Sequence, residues 1–241
     1  MNKKILKQCA FILGILIVLA IVAFIIIKYD EEGEKSLPYS ISKILLVSTV
    51  NGSVIDDPEN IWNINVSQVN DMYMYIDKTE ETDETIKEIK FENFVINTAP
   101  KMGNLKILRP TGELANLYTY SSQDYLKEGL TYIGAAIDDM KSLEISNIGG
   151  VLGFRFLVDN LGNYVSKETE EVTYDGKLLA KLGVTVDDIK FNVSFDIIIT
   201  TSDNINYKGT INLDMPVGDV VVEGASNKEI TDFSNVIFKR V

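Results

Sequence analysis

The sequence predicts a mainly β protein: an antiparallel β-sandwich, immunoglobulin-like or jelly-roll-like, placed outside the cytoplasm on a single N-terminal transmembrane helix. Three observations lead there. An uncharged apolar run fills residues 10–27, side chains alternate with a period of two almost everywhere after Pro38, and helix signals are scarce beyond the first run.

The apolar run has eighteen residues from Ala10 to Ile27. As a helix it is about 27 Å long, against roughly 30 Å for a hydrocarbon core. A cleaved signal peptide has a shorter apolar region and a small-residue exit. Here Ala23 is followed by Phe24, Ile25, Ile26 and Ile27, so retention is expected. Lys3, Lys4 and Lys7 precede the run, while Asp30, Glu31, Glu32 and Glu34 follow Lys28. That asymmetry keeps the N-terminus in the cytoplasm. The expected organisation is a cytoplasmic stub at 1–8, a membrane anchor at 9–28, a charged tether at 29–37, and an extracytoplasmic β domain at 38–241. Whether that domain is one unit or two sub-domains meeting near 110–140 is open from sequence.

Along the β domain, "TVNGSV" carries Asn51-Gly52, a hairpin-turn signal. "DMYMYID" and "NLYTYS" read as tyrosine-rich strands. In "KEIKFENFVINT" the apolar set shifts from Ile89 and Phe91 to Phe94 and Ile96, which a β-bulge near Glu92-Asn93 explains. Residues 122–141 suit either strand or a helical turn. "GFRFLVDNLGNYV" alternates Phe154, Phe156 and Val158 and is expected to turn through Asp159, Asn160 and Gly162. "DGKLLAKLG" fits a two-turn helix capped by Asp175 and ended by Gly183, and Thr185 with Asp188 has capping-box spacing. The clearest hairpin spans 189–214. Ile189, Phe191, Val193, Phe195, Ile197 and Ile199 face one way, Ser202–Asn204 turns, and Ile205, Tyr207, Ile211 and Leu213 return.

Composition narrows the chemistry. The chain has no histidine and one cysteine, Cys9, before the apolar run. Histidine-dependent triads, histidine zinc sites, thiolate clusters and internal disulfides are therefore excluded. After Lys28 there are 19 basic residues against all 35 acidic ones, a net charge of −16. Nucleic acid and anionic lipid surfaces would repel such a body.

Few motifs remain. Ser40 and Lys43 have the S-x-x-K spacing of serine enzymes that act on penicillin or cell-wall peptides, and Ser202-Asp203-Asn204 matches a second motif of theirs. The first runs into a strand pattern that sets its two residues on opposite faces, and the second reads as a hairpin turn. Gly149, Gly150 and Gly153 lead into a strand, unlike a phosphate loop. The acidic runs at 56–60, 80–84, 138–139 and 187–188 lack EF-hand spacing. Asn51, Asn65 and Asn192 head N-x-S sequons.

The tyrosine pairs Tyr73/Tyr75 and Tyr118/Tyr120 each share one face of a strand. They form an amphipathic platform if that face meets solvent, and core if Met72, Met74 and Ile76 do. The expectation is a non-enzymatic module, without cofactor or metal, that binds a protein or envelope component. The alternatives are a carbohydrate or cell-wall binder using Tyr73, Tyr75, Tyr118 and Tyr120, and a histidine-independent hydrolase with paired carboxylates.

Overall fold

The computed structural model describes residues 3–56, 61–79, 83–111, 119–135, 143–146, 148–167 and 176–241; side chains before 37 are described for Lys7 and 11–27 only. Helix α1 spans Lys3–Ser36. Among the described residues, no helix is long and apolar enough to cross a membrane. The expected charged tether is helical as far as Ser36, because Glu31, Glu32, Glu34 and Lys35 are good helix formers.

Eleven strands follow among the described residues: β1 Tyr39–Asp56, β2 Asn63–Lys78, β3 Ile86–Thr98, β4 Asn104–Leu108, β5 Leu130–Gly134, β6 Leu143–Ile145, β7 Gly149–Val165, β8 Phe191–Thr201, β9 Asn206–Met215, β10 Ala225–Ile230 and β11 Lys239–Arg240. Short helices α2 (Gly176–Lys181), α3 (Val186–Ile189) and α4 (Val220–Glu223) interrupt them. One sheet has the order β10-β1-β2-β7-β4 and the other β11-β9-β8-β3-β5-β6. Every pairing is antiparallel except β5 with β6. This is a mainly β, sandwich-like architecture.

Alternation builds the core. Ile44 and Leu46 of β1 lie opposite Met74 and Met72 of β2, which lie opposite Leu152 and Phe154 of β7; all six are buried. From the second sheet, Phe91 and Phe195 meet Phe154 with ring centroids 5.0 and 5.6 Å apart. Phe191 meets Phe156 at 6.0 Å. These rings join the sheets. Ser48, Gln68 and Asn70 also point inward and are fully buried. The Ser48 hydroxyl donates to Asn70 Oδ1 at 2.7 Å and accepts the Val217 N–H at 2.9 Å, while Asn70 Nδ2 donates to Gln68 Oε1 at 2.7 Å. Paired in this way, the polar groups avoid the cost of unmatched burial.

Several sequence expectations appear in place. The 189–214 hairpin is β8 and β9, its inward set buried except half-buried Ile205. The β3 bulge sits at Asn93, where φ is 54° and the register jumps from Glu92↔Asp196 to Val95↔Ser194. Gly183 ends α2, and the Asp188 carboxylate accepts the Thr185 N–H at 2.9 Å. Asp175 lies outside the described residues.

Two turn expectations are corrected. Asn51 and Gly52 are inside β1, opposite Ser67 and Val66, and the chain does not reverse there. Pairing along the whole of β2 outweighs the local turn preference of two residues. Likewise β7 continues through Asn160 and Gly162. Their φ values of 57° and 148° serve a bulge, with Val158↔Gln68 followed by Gly162↔Val66.

Candidate functional site

On β2 the even-numbered side chains fill the core, so Asp71, Tyr73 and Tyr75 emerge on the outer face of the five-stranded sheet. Register supplies their neighbours. Val47, Asp71 and Arg155 form one row, Leu45, Tyr73 and Gly153 the next, and Lys43, Tyr75 and Val151 the third. Gly153 is buried, and the other eight are of intermediate exposure. The result is a grid of aliphatic, aromatic and charged side chains at the water boundary.

Each element of the grid has a local cause. A β-carbon on Gly153 would lie 3.1 Å from Cδ1 of Tyr73, so the tyrosine ring rests over a position kept empty by glycine. Arg155 grips Asp71 with two parallel bonds, Nε to Oδ1 at 2.7 Å and a terminal nitrogen to Oδ2 at 2.8 Å. The Lys43 ammonium lies 4.5 Å from the Tyr75 ring centroid and 3.5 Å from a Glu229 carboxylate oxygen.

Tyr120 joins this face from another part of the chain. Residues on either side of 112–118 pair through Thr111 N–H to Thr119 O at 2.7 Å and Ser121 N–H to Arg109 O at 2.9 Å. The Tyr120 ring thereby covers the Arg155 guanidinium, 3.9 Å from its centroid. Burial raises the Tyr120 pKa most, and Asp71 and Tyr73 add to the rise while Arg155 opposes it. The neighbouring Tyr73 hydroxyl acts on it without a hydrogen bond of good geometry. For Arg155, burial works against the charge, yet Asp71 outweighs it and holds the guanidinium protonated. Both groups stay fixed in charge near neutrality. Tyr118 lies outside the described residues.

Of the four tyrosines singled out by sequence, the fold thus brings Tyr73, Tyr75 and Tyr120 to one face. Sequence reasoning missed Arg155 and Asp71, and weighed Lys43 only for its S-x-x-K spacing with Ser40. One signal was available: the chain has only three arginines, Arg109, Arg155 and Arg240, and each lies against a tyrosine ring.

Other sequence candidates separate. A bulge at Ser42 turns Ser40 and Lys43 to the same outer face rather than opposite ones, but the S-x-x-K helix is absent because both belong to β1. Ser202–Asn204 is a hairpin turn, with Asn204 at φ 62°. Gly149 opens β7 at φ 115°, where a β-carbon would strike Ile76 O at 2.2 Å, and no helix follows. Asp187 pairs with Lys190 at 2.7 Å. No group of three or more His, Cys, Asp or Glu residues that could hold a metal occurs among the described residues. A cleft of about 260 Å³ lies between Leu37–Ile41 and Phe233–Phe238 and is lined without a titratable carboxylate or amine.

No family model matches the chain, and neither a curated protein nor a solved structure is significantly similar to it. The site must speak for itself. With Asp71 paired to Arg155, the grid presents ring surface, aliphatic side chains and the Lys43 ammonium.

Proposed function

We propose that the chain is a non-enzymatic interaction module, held at the outer side of a membrane by α1, whose five-stranded sheet binds a protein partner through the face around Tyr73 and Tyr75. The observation that carries this reading is the outward orientation of both tyrosines within an aliphatic and charged grid. Tyrosine and arginine are the residue types that concentrate binding energy at protein interfaces.

A protein fits better than a glycan. Sugar stacking favours freely open aromatic faces, and here one side of each ring is already taken: Tyr73 lies on Gly153, Tyr75 meets Lys43, and Tyr120 covers Arg155. The anchor reading is supported by residues 11–27. Their large apolar side chains are 46% (Ile15) to 71% (Phe11) exposed, a surface that water disfavours and lipid accepts.

Two measurements test the proposal. The full chain is expected to stay with the membrane pellet at alkaline pH, and its body to be digested by protease added to intact cells. Release at alkaline pH, or protection from the protease, counts against the anchor. A Tyr73→Ala, Tyr75→Ala double variant, folded as judged by its melting temperature, is expected to lose at least tenfold in affinity for the partner recovered with the unaltered chain. Unchanged affinity counts against this face.

A further inference from the structure

Most outer edges of the two sheets are guarded. On β4, the Asp124 carboxylate accepts the Ile107 N–H at 2.9 Å and Tyr125 N–H donates to Ile107 O at 2.7 Å. The edge strand β10 carries Lys228 and Glu229, β11 is the two residues Lys239 and Arg240, and β6 has three residues. Short strands, charges and covering segments are the usual protections against unwanted pairing.

The far half of β1 differs. Its pairing with β10 stops at Thr49↔Ala225, while its pairing with β2 continues to Asp56↔Asn63. Among the described residues, 50–56 therefore has a ladder on one side only. The stretch reads Val-Asn-Gly-Ser-Val-Ile-Asp, with no charge before Asp56 and no proline. Asn51, Ser53, Val54 and Ile55 are exposed. Around this end stand Val54 at 42%, Ile55 at 56%, Val165 at 57% and the chain's one tryptophan, Trp62, at 37%.

We propose that residues 50–56 of β1 are a docking edge for an extended segment of a partner protein, which adds to the five-stranded sheet as a further strand. The outward N–H and C=O groups of a strand recur every second residue, about 6.8 Å apart, and another strand matches that spacing. Val54, Ile55 and Trp62 call for apolar side chains on the incoming segment. The body's charge of −16 calls for basic residues on it as well. A second copy of this chain would instead bring two strongly acidic bodies together. This edge is separate from the tyrosine face, so either surface can fail without the other; it rests on the interaction reading only in taking a protein as ligand.

The test uses the full chain in detergent micelles and a defined probe, an eight-residue peptide that alternates threonine and valine and ends in two lysines. Hydrogen exchange of amides 50–56 is expected to slow at least fivefold at saturating peptide. The same peptide N-methylated at alternate residues is expected to give no slowing. Gly52→Pro and Ser53→Pro complete the test. Neighbouring residues direct their N–H groups to opposite sides, so one of the two prolines removes only an outward donor and keeps the melting temperature. That variant is expected to lose the peptide's effect; if both unfold, the N-methylated peptide decides. The proposal is overturned by no slowing at millimolar peptide, by equal slowing with the N-methylated peptide, or by full binding to the folded proline variant. It is also overturned if the free chain is a dimer that already protects this edge.

Discussion

The outer faces of the two sheets solve the same problem in different ways. On the six-stranded sheet, short amides bond to one another across three strands: Asn97 donates to Asn192 Oδ1 at 2.7 Å, and Asn192 to Asn212 Oδ1 at 2.6 Å and Asp214 Oδ1 at 2.7 Å. Beside them Asp196 takes Lys208 at 2.7 Å, Thr210 at 2.7 Å and Asn93 at 2.9 Å. That face uses its polar groups internally. The five-stranded face pairs Asp71 with Arg155, Lys106 with Asp159, Lys43 with Glu229 and Asn65 with Asn163, yet around Tyr73 and Tyr75 it keeps ring and aliphatic surface at the water boundary. The proposed contact surface lies where apolar area persists, because internal pairing leaves little for a partner to match.

The largest expected loss comes from breaking the charged anchor of the tyrosine face. Arg155→Ala leaves Asp71, whose side chain is only 13% exposed, without its cation and uncovers the Tyr120 ring, so it is expected to cost about 3 kcal/mol by denaturant unfolding. A loss below about 0.5 kcal/mol would reduce the pair to an ordinary surface ion pair and erase the contrast between the faces.

Asp196→Ala probes the opposite face and is expected to cost about 2 kcal/mol, since three partners lose their acceptor. Burial raises the Asp196 pKa, but Lys208, Asn93 and Thr210 together hold it below the usual carboxylate value. Its folded pKa lies under its unfolded one, so this stabilisation is complete above about pH 4 and fades as pH falls through the lowered value. An Asp196→Asn chain is expected to show a shallower loss of stability between about pH 4 and pH 2 than the unaltered chain. Matching acid limbs would contradict the network.

The smallest effect sharpens the bulge that sets this network. Asn93 holds φ at 54°, so Asn93→Ala is expected to cost about 1–2 kcal/mol, with Asn93→Gly recovering the conformational part. Equal losses for the two substitutions would mean that the bond to Asp196, and not the backbone, dominates at this position.

What was legible in the chain follows from how far each signal reaches. Alternation is local, so the β8–β9 hairpin, the placing of Tyr73 and Tyr75 on one shared face, and the shifted register at Asn93 could be read directly, whereas which face of β2 meets water could not. Turn preference is local too, but Asn51-Gly52 and Asn160-Leu161-Gly162 sit where long ladders with β2 decide the path. Positive φ at Asn160 was signalled correctly and then used for a bulge. The meeting of Tyr120, Arg155, Asp71 and Tyr73 joins three distant segments, and no spacing in a single sequence encodes it. Tyr75 and Lys43 meet for the same reason, through register.

The most direct test of the account compares the two faces in place. A photoreactive phenylalanine analogue is introduced at Tyr75 or at Asn212 of the full chain, and membranes of intact host cells are irradiated. The account expects one protein adduct of defined mass from position 75 and none from position 212. Equal labelling from both positions, no adduct from position 75, or an adduct to glycan alone would contradict it.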